Sequence, residues 1–468
     1  MHHLVQSLGT ALIVVLALGC RSTSPAERST RPSDPQIARM LQQIDPKRIE
    51  ADVRALAAFN TRHTLSDDPA QTSGIVAARD WIRRQFEDAS RDGNGRLRVE
   101  MHETMIERTS ERVPRPVKIV NVLATLPGTS DPNRVYVVSG HYDSRASEVN
   151  DYTSRAPGAN DDASGTALVI ELARVMSRYE FDATLVFAAV AGEEQGLLGA
   201  AALAEKAKNE GWNVEAMFTN DIVGNTHGGN GVHDDARVRV FSEGVPTVES
   251  PVQLQARQSV GGENDGPSRQ VARYIDEVAR HYLPNFDVTL VWRRDRFGRG
   301  GDHIPFLRQG FASVRFTEPN EHFDRQHQDV RVEDGKQYGD TSEHVDFNYI
   351  ANVARVNGAA LASMARAPAR VGKVTISTDL EYDTTLSWEP SAETDLAGYV
   401  VLARETTAPT WQYRINVDKA EPRARVRLSK DDYIFAVQAV DRDGHASIPA
   451  PPLPARRRGA ATSPTTRE

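Results

Sequence analysis

The chain has 468 residues, enough for two or three domains, and its net charge of −8 arises from 56 basic and 64 acidic residues. No block of basic charge accompanies this balance, which argues against nucleic acid as a partner. The one apolar run with membrane character, Leu12–Leu18, is far shorter than the roughly 20 residues that a membrane-spanning helix needs.

Residues 1–20 have the pattern of a segment that directs export. The apolar run ends in A-L-G-C, a small residue followed by the only cysteine of the chain, Cys20. This pattern resembles a bacterial lipoprotein signal that is cleaved ahead of a lipidated cysteine. A plain secretory signal is the alternative. Both predict an exported protein, held at the cell envelope by a lipid anchor or secreted, and residues 21–35 then form a flexible tether.

Residues 36–367 alternate between strand-like and helix-like segments. Four buried strands are predicted, at Val135–Val138, Ala183–Val190, Val214–Thr219 and Gly310–Phe316. Helical spacing appears over Ile37–Ala58, and Ser164 is predicted to cap a helix over Thr166–Met176. This order predicts an α/β domain with a mixed, mostly parallel sheet and helices on both faces.

The periodicity changes to two in residues 368–454, which predicts a C-terminal all-β sandwich. The segments L-S-W-E-P with Trp388, D-L-A-G-Y-V-V with Tyr399, and Y-I-F-A-V-Q-A-V from Tyr433 resemble a fibronectin type III module. The resemblance implies that Tyr433 is the corner tyrosine, and that the module is a spacer or an adhesive unit that binds a surface partner. Residues 455–468 are predicted to be a disordered tail.

Acidic and imidazole side chains collect at the ends of the predicted strands. They are His141, Asp143, Asp161, Glu193, Glu194 and Asp221, and the segment E-H-F-D-R-Q-H (321–327) follows the fourth strand. Because ligands collect at the carboxyl ends of parallel strands, this edge is the predicted site. Imidazole and carboxylate ligands without thiols favour zinc, or less exclusively manganese or cobalt.

The number of these groups suits two metal ions rather than one. Two divalent ions bring four positive charges; three carboxylates and one hydroxide would balance them, with one carboxylate bridging the ions. Glu193 and Glu194 are adjacent in the sequence, so their side chains cannot easily point in the same direction towards a metal ion. One of the pair is therefore predicted to bind metal, while the other takes a proton from water and passes it to a leaving amine.

Four separated motifs carry a family resemblance. G-H-Y-D-S, G-A-N-D-D-A-S-G, A-G-E-E-Q-G-L-L-G and N-D-I-V-G-N, in this order, resemble the M28 family of zinc peptidases, whose typical members are bacterial aminopeptidases with two zinc ions. The resemblance covers about Ile37 to Ala365. A single G-H-x-D or E-E pair would be weak, but four motifs in register are specific.

The resemblance implies a role for each residue. His141 and Asp221 would bind one zinc ion, Glu194 and a late histidine the other, and Asp161 would bridge them. Glu193 would be the general base. Three further residues would support the ligands or contact the substrate: Asp143 behind the His141 ring, Asp162 in the turn, and His303 in the G-D-H motif.

The late histidine is the position where the chain departs from the family pattern. His327 is the first choice and His322 the second, and Gln326 stands where some members have a tyrosine that stabilises the oxyanion. His303 is then a candidate for that role. The charged segment from Trp292 to Arg296 is interpreted as a solvated connection rather than as part of a substrate site.

The sequence therefore predicts an exported metal-dependent aminopeptidase that acts on peptides with a free amino end. One alternative is a different amide chemistry on the same scaffold, either glutaminyl cyclisation or carboxypeptidase action. Another is a non-catalytic cell-surface binding protein whose C-terminal module does the work, but that interpretation would require lost ligands, and the acidic ligands are present.

Overall fold

The computed structural model describes residues 34–68, 70 and 72–455. The predicted signal with Cys20, most of the tether and nearly all of the predicted tail lie outside these residues. Of the helices in the described residues, none is both long and apolar enough to cross a membrane.

A mixed sheet of eight strands forms the centre of the first domain. Its strands are β1 (Arg98–Ile106), β2 (Val117–Leu126), β3 (Asp131–His141), β4 (Ala183–Val190), β5 (Asn213–Asn220), β6 (Arg237–Ser242), β7 (Asp287–Val291) and β8 (Ser313–Thr317). Their order is β1-β2-β4-β3-β5-β8-β6-β7. The four neighbours β4, β3, β5 and β8 run parallel. On one side β2 pairs antiparallel with β4 and β1 antiparallel with β2, and on the other side the parallel β6–β7 pair joins β8 antiparallel through β6.

Helices cover both faces of this sheet. They are α1 (Pro35–Leu41), α2 (Pro46–Ala57), α3 (Gly74–Asp92), α4 (Ala163–Met176), α5 (Leu198–Asn209), α6 (Pro251–Ser259), α7 (Pro267–Tyr282), α8 (His303–Arg308) and α9 (Phe347–Arg366). Along β3, Tyr136 and Val138 belong to the core cluster that includes α4 and α9, whereas Val135 and Val137 belong to the one that includes α5. This alternation follows from the two-residue period of a strand, and the predicted α/β architecture is confirmed.

Two local predictions were wrong. Asp162, rather than Ser164, caps α4: its carboxylate accepts a hydrogen bond from the backbone N–H of Gly165 at 3.0 Å, while the Ser164 hydroxyl donates to a backbone carbonyl. The helical stretch from residue 37 to 58 is interrupted between α1 and α2, because Pro46 and the capping carboxylate of Asp45 begin a new helix.

A hairpin of β9 (Arg331–Glu333) and β10 (Lys336–Tyr338) follows the site segment, and seven strands form the C-terminal sandwich. They are β11 (Thr375–Ile376), β12 (Thr384–Ser387), β13 (Leu396–Glu405), β14 (Tyr413–Asp418), β15 (Arg423–Val426), β16 (Tyr433–Asp441) and β17 (Leu453–Pro454). One sheet has the order β15-β12-β11-β17 and the other β14-β13-β16. The β-sandwich is confirmed; its identity as a fibronectin type III module stays a prediction. Tyr433 packs edge-on against Tyr413 of the neighbouring hairpin.

The sandwich is attached to α7 through a buried ion cluster. The carboxylate of Asp265 lies 3.1 Å from the Arg273 guanidinium of α7 and 2.6 Å from the Arg404 guanidinium of β13. All three side chains are 2% exposed or less. Burial lowers the pKa of Arg273 to about 10, although the charge of Asp265 opposes this shift. We call Asp265, Arg273 and Arg404 the interdomain cluster.

Candidate metal centre and active site

The parallel order of the central strands brings the predicted site residues to one edge of the sheet. β3 ends at His141, β5 ends just before Asp221, and Glu193 and Glu194 follow β4. Since β4, β3 and β5 are neighbours, their carboxyl ends face the same crevice. Gly165 allows α4 to approach this edge, because a Cβ there would lie 1.9 Å from the carbonyl oxygen of Asn220.

The predicted ligands and the predicted general base, Glu193, form two groups, and within each group the side-chain nitrogen or oxygen atoms lie within 4.8 Å of one another. They are His141, Glu193 and Asp221 in the first group and Asp161, Glu194 and His327 in the second. In the second group, Nε2 of His327 lies 2.9 Å from Asp161 and 3.1 Å from Glu194.

Asp161 links the two groups. One of its oxygens lies 3.2 Å from Nε2 of His141, and the other lies 2.9 Å from Nε2 of His327. The Nε2 of His141 is also 3.9 Å from a carboxylate oxygen of Asp221. One carboxylate facing both groups is the arrangement that a bridging ligand requires.

The donor set fits zinc. Both histidines and the acidic residues supply only nitrogen and oxygen atoms, and Nε2 of His141 and Oε1 of Glu194 are buried without a hydrogen-bond partner in the described part of the chain. A buried polar atom without a partner costs free energy, so such atoms indicate a ligand that the fold is built to hold.

Asp143 and Asp162 hold the ligand segments in place. The Asp143 carboxylate accepts hydrogen bonds from the backbone N–H groups of Glu193 (3.3 Å) and Glu194 (3.1 Å), and lies 3.5 Å from Nδ1 of His141. The Asp162 carboxylate accepts from the backbone N–H of His141 at 2.9 Å. Both residues therefore face away from the metal groups and orient the ligands.

His303 is fully buried at the start of α8. Its Nε2 lies 2.9 Å from the carbonyl oxygen of Arg294 and 3.5 Å from the Asp295 carboxylate. Burial lowers its pKa to about 4. The Asp295 carboxylate and the Arg294 carbonyl oppose this shift, so burial is what keeps the ring neutral. The contacts of Nε2 make His303 a support for the segment that precedes it, and its role as an oxyanion donor stays a prediction. The amide of Gln326 instead donates to Asp161 at 3.0 Å.

The electrostatics of the site reflect an excess of buried acid. Burial raises the pKa of Glu193 well above its usual value, and the charges of Asp221 and Glu194 add to this shift. Burial also opposes ionisation of Asp161, but the nearby His327 and His141 hold its pKa well below the usual range. Burial opposes the charged form of His327, but the carboxylates of Glu194 and Asp161 raise its pKa to about 10. Cations are therefore strongly favoured in this pocket.

Two site residues were missed by the sequence analysis. Arg315 of β8 is completely buried and lies 2.7 Å from the outer oxygen of Asp221. Asp340 accepts hydrogen bonds from the backbone N–H groups of Asn160 (2.9 Å) and Asp161 (2.7 Å), which fixes the linking carboxylate. Arg315 lies within a predicted strand and Asp340 follows the β9–β10 hairpin. Neither belongs to a sequence motif that could have indicated its role.

The segment from Trp292 to Arg296 was also misinterpreted. Trp292 packs beneath the guanidinium groups of Arg269 and Arg273 at 4.6 and 4.9 Å, and Arg296 is only 8% exposed. The segment contributes one side of the cleft instead of forming a solvated connection. His322 lies outside both ligand groups, near Asp324.

The ligand groups lie at the base of a cleft of about 850 Å³ that opens to solvent. Asp161, Glu193, Glu194, Asp221 and His327 all line it. His327 is more exposed than Asp161, Glu194 and Asp221, at 29% of its side chain, and its backbone has φ of +55°. A left-handed histidine is uncommon and costs free energy, and residues of this kind cluster at functional sites.

Comparisons with known proteins find sequence relatives of this chain and solved structures with a similar fold. The model of peptidase family M28 matches residues 121–359. A probable zinc metalloprotease of Leptosphaeria maculans is 46% identical over 420 residues, which cover 90% of this chain and 97% of that protein. A probable zinc metalloprotease of Pyricularia oryzae is 47% identical over 428 residues, which cover 90% of this chain and 85% of that protein. These relatives are fungal, whereas the sequence analysis took bacterial proteins as the typical members.

The fold is shared with solved aminopeptidases. The LapA aminopeptidase of Legionella pneumophila aligns with a TM-score of 0.50 at 16% identity, over 71% of this chain and 75% of that chain. An aminopeptidase from Aneurinibacillus sp. strain AM-1 aligns with a TM-score of 0.50 at 16% identity, over 70% of this chain and 96% of that chain. At this identity the likeness concerns the fold alone.

Proposed function

Because the chain belongs to peptidase family M28 and is therefore a metal-dependent peptidase, we propose that it is an exported aminopeptidase with two zinc ions. The single observation that carries this proposal is the position of Asp161 between two ligand groups, 3.2 Å from His141 on one side and 2.9 Å from His327 on the other. A one-ion site would have no use for a carboxylate that faces two sets of ligands.

In the proposed centre, His141, Asp221 and Asp161 would hold one ion, and Asp161, Glu194 and His327 would hold the other. Zinc supplies Lewis acidity, which makes water acidic enough to act as a nucleophile near neutral pH and polarises the scissile carbonyl. The fully buried His141 and Asp221 are oriented by Asp143, Asp162 and Arg315. Because these ligands are already oriented, the site needs little rearrangement when the reaction takes place.

Glu193 is the proposed general base. It lines the cleft beside the ligands, and burial raises its pKa well above the usual value, which makes it a stronger proton acceptor. The Glu193 carboxylate takes the proton of the attacking water and delivers it to the leaving amine.

Export is part of the proposal and depends on the sequence of residues 1–20 alone. Whether Cys20 carries a lipid can be measured as a mass increase on the amino end of the mature protein, or as partition into detergent. The peptide substrates and any surface partner of the sandwich are proposals of the same kind.

The proposal is tested by zinc content per purified chain and by release of free amino acids from an unblocked peptide and its amino-acetylated copy. Two zinc ions and cleavage of the unblocked peptide alone are expected. One zinc ion, or equal cleavage of both peptides, would overturn the aminopeptidase assignment and favour the alternative amide chemistries. A chain that binds no metal and cleaves neither peptide would instead be a binding protein.

A further inference from the structure

The cleft above the candidate metal centre is lined by four arginines and very few apolar side chains. We call Arg112, Arg145, Arg296 and Arg299 the arginine rim; the apolar lining consists of Leu197 and Phe323, and Phe323 is 69% exposed. A pocket that selects an apolar side chain is lined mainly by apolar groups. The lining of this cleft indicates a different selectivity.

On one side of the cleft, Arg145 has no acidic partner. Its Nε and Nη2 donate to the carbonyl oxygens of Ala146 (3.1 Å) and Ser147 (2.9 Å) in its own loop. In the described part of the chain, no carboxylate oxygen comes within ion-pair distance of its guanidinium. Arg112 likewise donates to the carbonyl oxygen of Glu194 at 2.7 Å, and it too makes no ion pair there.

On the other side, positive charge exceeds negative charge. Arg296 and Arg299 both contact the Glu321 carboxylate at 2.8 Å, and Arg239 lies 3.3 Å from its other oxygen. Arg296 also lies 3.4 Å from the Asp295 carboxylate, so two carboxylates serve three guanidinium groups. The remaining acids of the cleft are the metal ligands and Glu193, whose charge two divalent cations would balance.

We propose that the arginine rim binds a carboxylate of the substrate, so that the enzyme prefers peptides with an anionic group close to the scissile bond. This inference rests on the proposed function, because the charge balance assumes the two metal ions. Arginine suits the role, since its planar guanidinium pairs with a carboxylate through two parallel hydrogen bonds. The carboxylate has two chemical sources: an acidic side chain, or the carboxyl end of a short peptide.

Three unblocked dipeptides that differ only in the position of charge distinguish these sources. Leu-Gln-amide is neutral beyond its amino end, Leu-Glu-amide carries a side-chain carboxylate, and Leu-Gln carries a terminal one. We expect kcat/KM of the zinc-loaded full chain to be about tenfold or more higher for at least one anionic peptide than for Leu-Gln-amide, because a hydrogen bond to a charged group adds that much. The preference should shrink as salt is raised, since exposed charges are screened.

Variants connect the preference to the rim. Arg145→Gln should reduce the ratio of anionic to neutral kcat/KM about tenfold, mainly through KM, and Arg145→Lys should restore part of it. Arg427→Gln is the matched control, because Arg427 is exposed on the sandwich and far along the chain from the cleft. Its ratio should equal that of the wild type.

The outcomes separate this inference from the proposed function. Equal cleavage of all three peptides, or a preference for the neutral one, would overturn the inference and leave the aminopeptidase assignment intact. An equal loss on all peptides in Arg145→Gln would also overturn it, since it would make Arg145 a support for its loop. Failure to cleave any of the three, in a chain that also leaves longer unblocked peptides intact, would overturn the proposed function itself.

Discussion

Two of the protein's buried charged clusters are built on opposite principles. In the interdomain cluster, each oxygen of Asp265 has a guanidinium partner, Arg404 or Arg273. In the candidate metal centre, acids outnumber cations. Nε2 of His141 and Oε1 of Glu194 lie near other ligand atoms, at 3.2 and 3.1 Å, but make no hydrogen bond in the described residues. A charge buried with its partner is tolerable, whereas one without a partner is costly. The interdomain cluster therefore joins two domains, whereas the excess of buried acid in the other cluster favours the binding of cations.

The fold offsets the cost of the second cluster through its surroundings. Asp143, Asp162 and Asp340 accept hydrogen bonds from backbone N–H groups at the ligand residues. The ligand segments are therefore fixed, although some ligand atoms make no hydrogen bond themselves. Such support keeps a site close to its productive geometry. The interdomain cluster needs no comparable support, since its partners satisfy one another.

The comparison predicts that changing an acid of the metal centre alters chemistry far more than stability. Glu193→Gln should lower kcat by about 10²–10⁴-fold, because the amide cannot accept the proton from water. Zinc content should be unchanged, and thermal stability should not fall, since a buried charge is removed. Glu205→Gln, on the exposed side of α5, is the control and should retain full activity. Near-normal turnover in Glu193→Gln would contradict the assigned role.

The opposite result is expected in the interdomain cluster. Asp265→Asn leaves Arg273 and Arg404 buried without a counter-charge, which should lower the free energy of unfolding by about 3–5 kcal/mol. Unfolding can be followed by tryptophan fluorescence, because Trp292 and Trp411 lie against the Arg273 guanidinium. Asp443→Asn, an exposed change in the sandwich, is the control. If Asp265→Asn is as stable as that control, the cluster does not hold the domains together.

Asp276 is an intermediate case between the two clusters, because this buried carboxylate has one partner and that partner is exposed to solvent. Asp276 of α7 is 2% exposed, its partner Arg280 is 59% exposed, and burial raises the pKa of Asp276 to about 6. In the unfolded chain this carboxyl ionises near its ordinary value of about 3.9. Because the folded-state pKa is the higher one, its contribution to stability is complete below about pH 4 and is lost as the pH rises through 6.

Asp276→Asn should therefore reduce the pH dependence of unfolding between about pH 4 and 6 and raise stability at pH 7 by about 1–2 kcal/mol. Thermal melts of the wild type and the variant across this pH range provide the measurement. The slope in Asp443→Asn should match that of the wild type. A stability at pH 7 that falls in Asp276→Asn would mean that the pair with Arg280 outweighs the cost of burial.

Much of the fold was accessible from the sequence because its strands are strongly apolar. The runs at β3, β4 and β5 are continuous and buried on both faces, so their positions, and those of the acids that follow them, were predicted. β6 and β7 were missed, since β6 alternates arginine with valine and β7 is a short, partly exposed edge strand. Edge strands carry little hydrophobic signal.

The site was predictable where its residues lie in motifs and unpredictable where they are brought in from a distance. His141, Asp161, Glu194 and Asp221 lie in motifs and meet as the resemblance implies. Arg315 reaches Asp221 from a strand 94 positions further along the chain, and no local pattern announces such a contact. Helix capping by Asp162 was missed because both Asp162 and Ser164 satisfy the same local preference.

The arginine rim and most of the metal ligands belong to different parts of the chain. Arg112, Arg145 and Arg299 stand on loops, whereas His141 and Asp221 are fixed at strand ends in the buried sheet. Loops accept substitution far more readily than buried strand ends. A few substitutions in these loops could therefore change the preferred peptide substrates and leave the proposed metal ligands unaltered. In such a fold, the loops that set substrate preference can change while the strand-end residues that carry out hydrolysis stay the same.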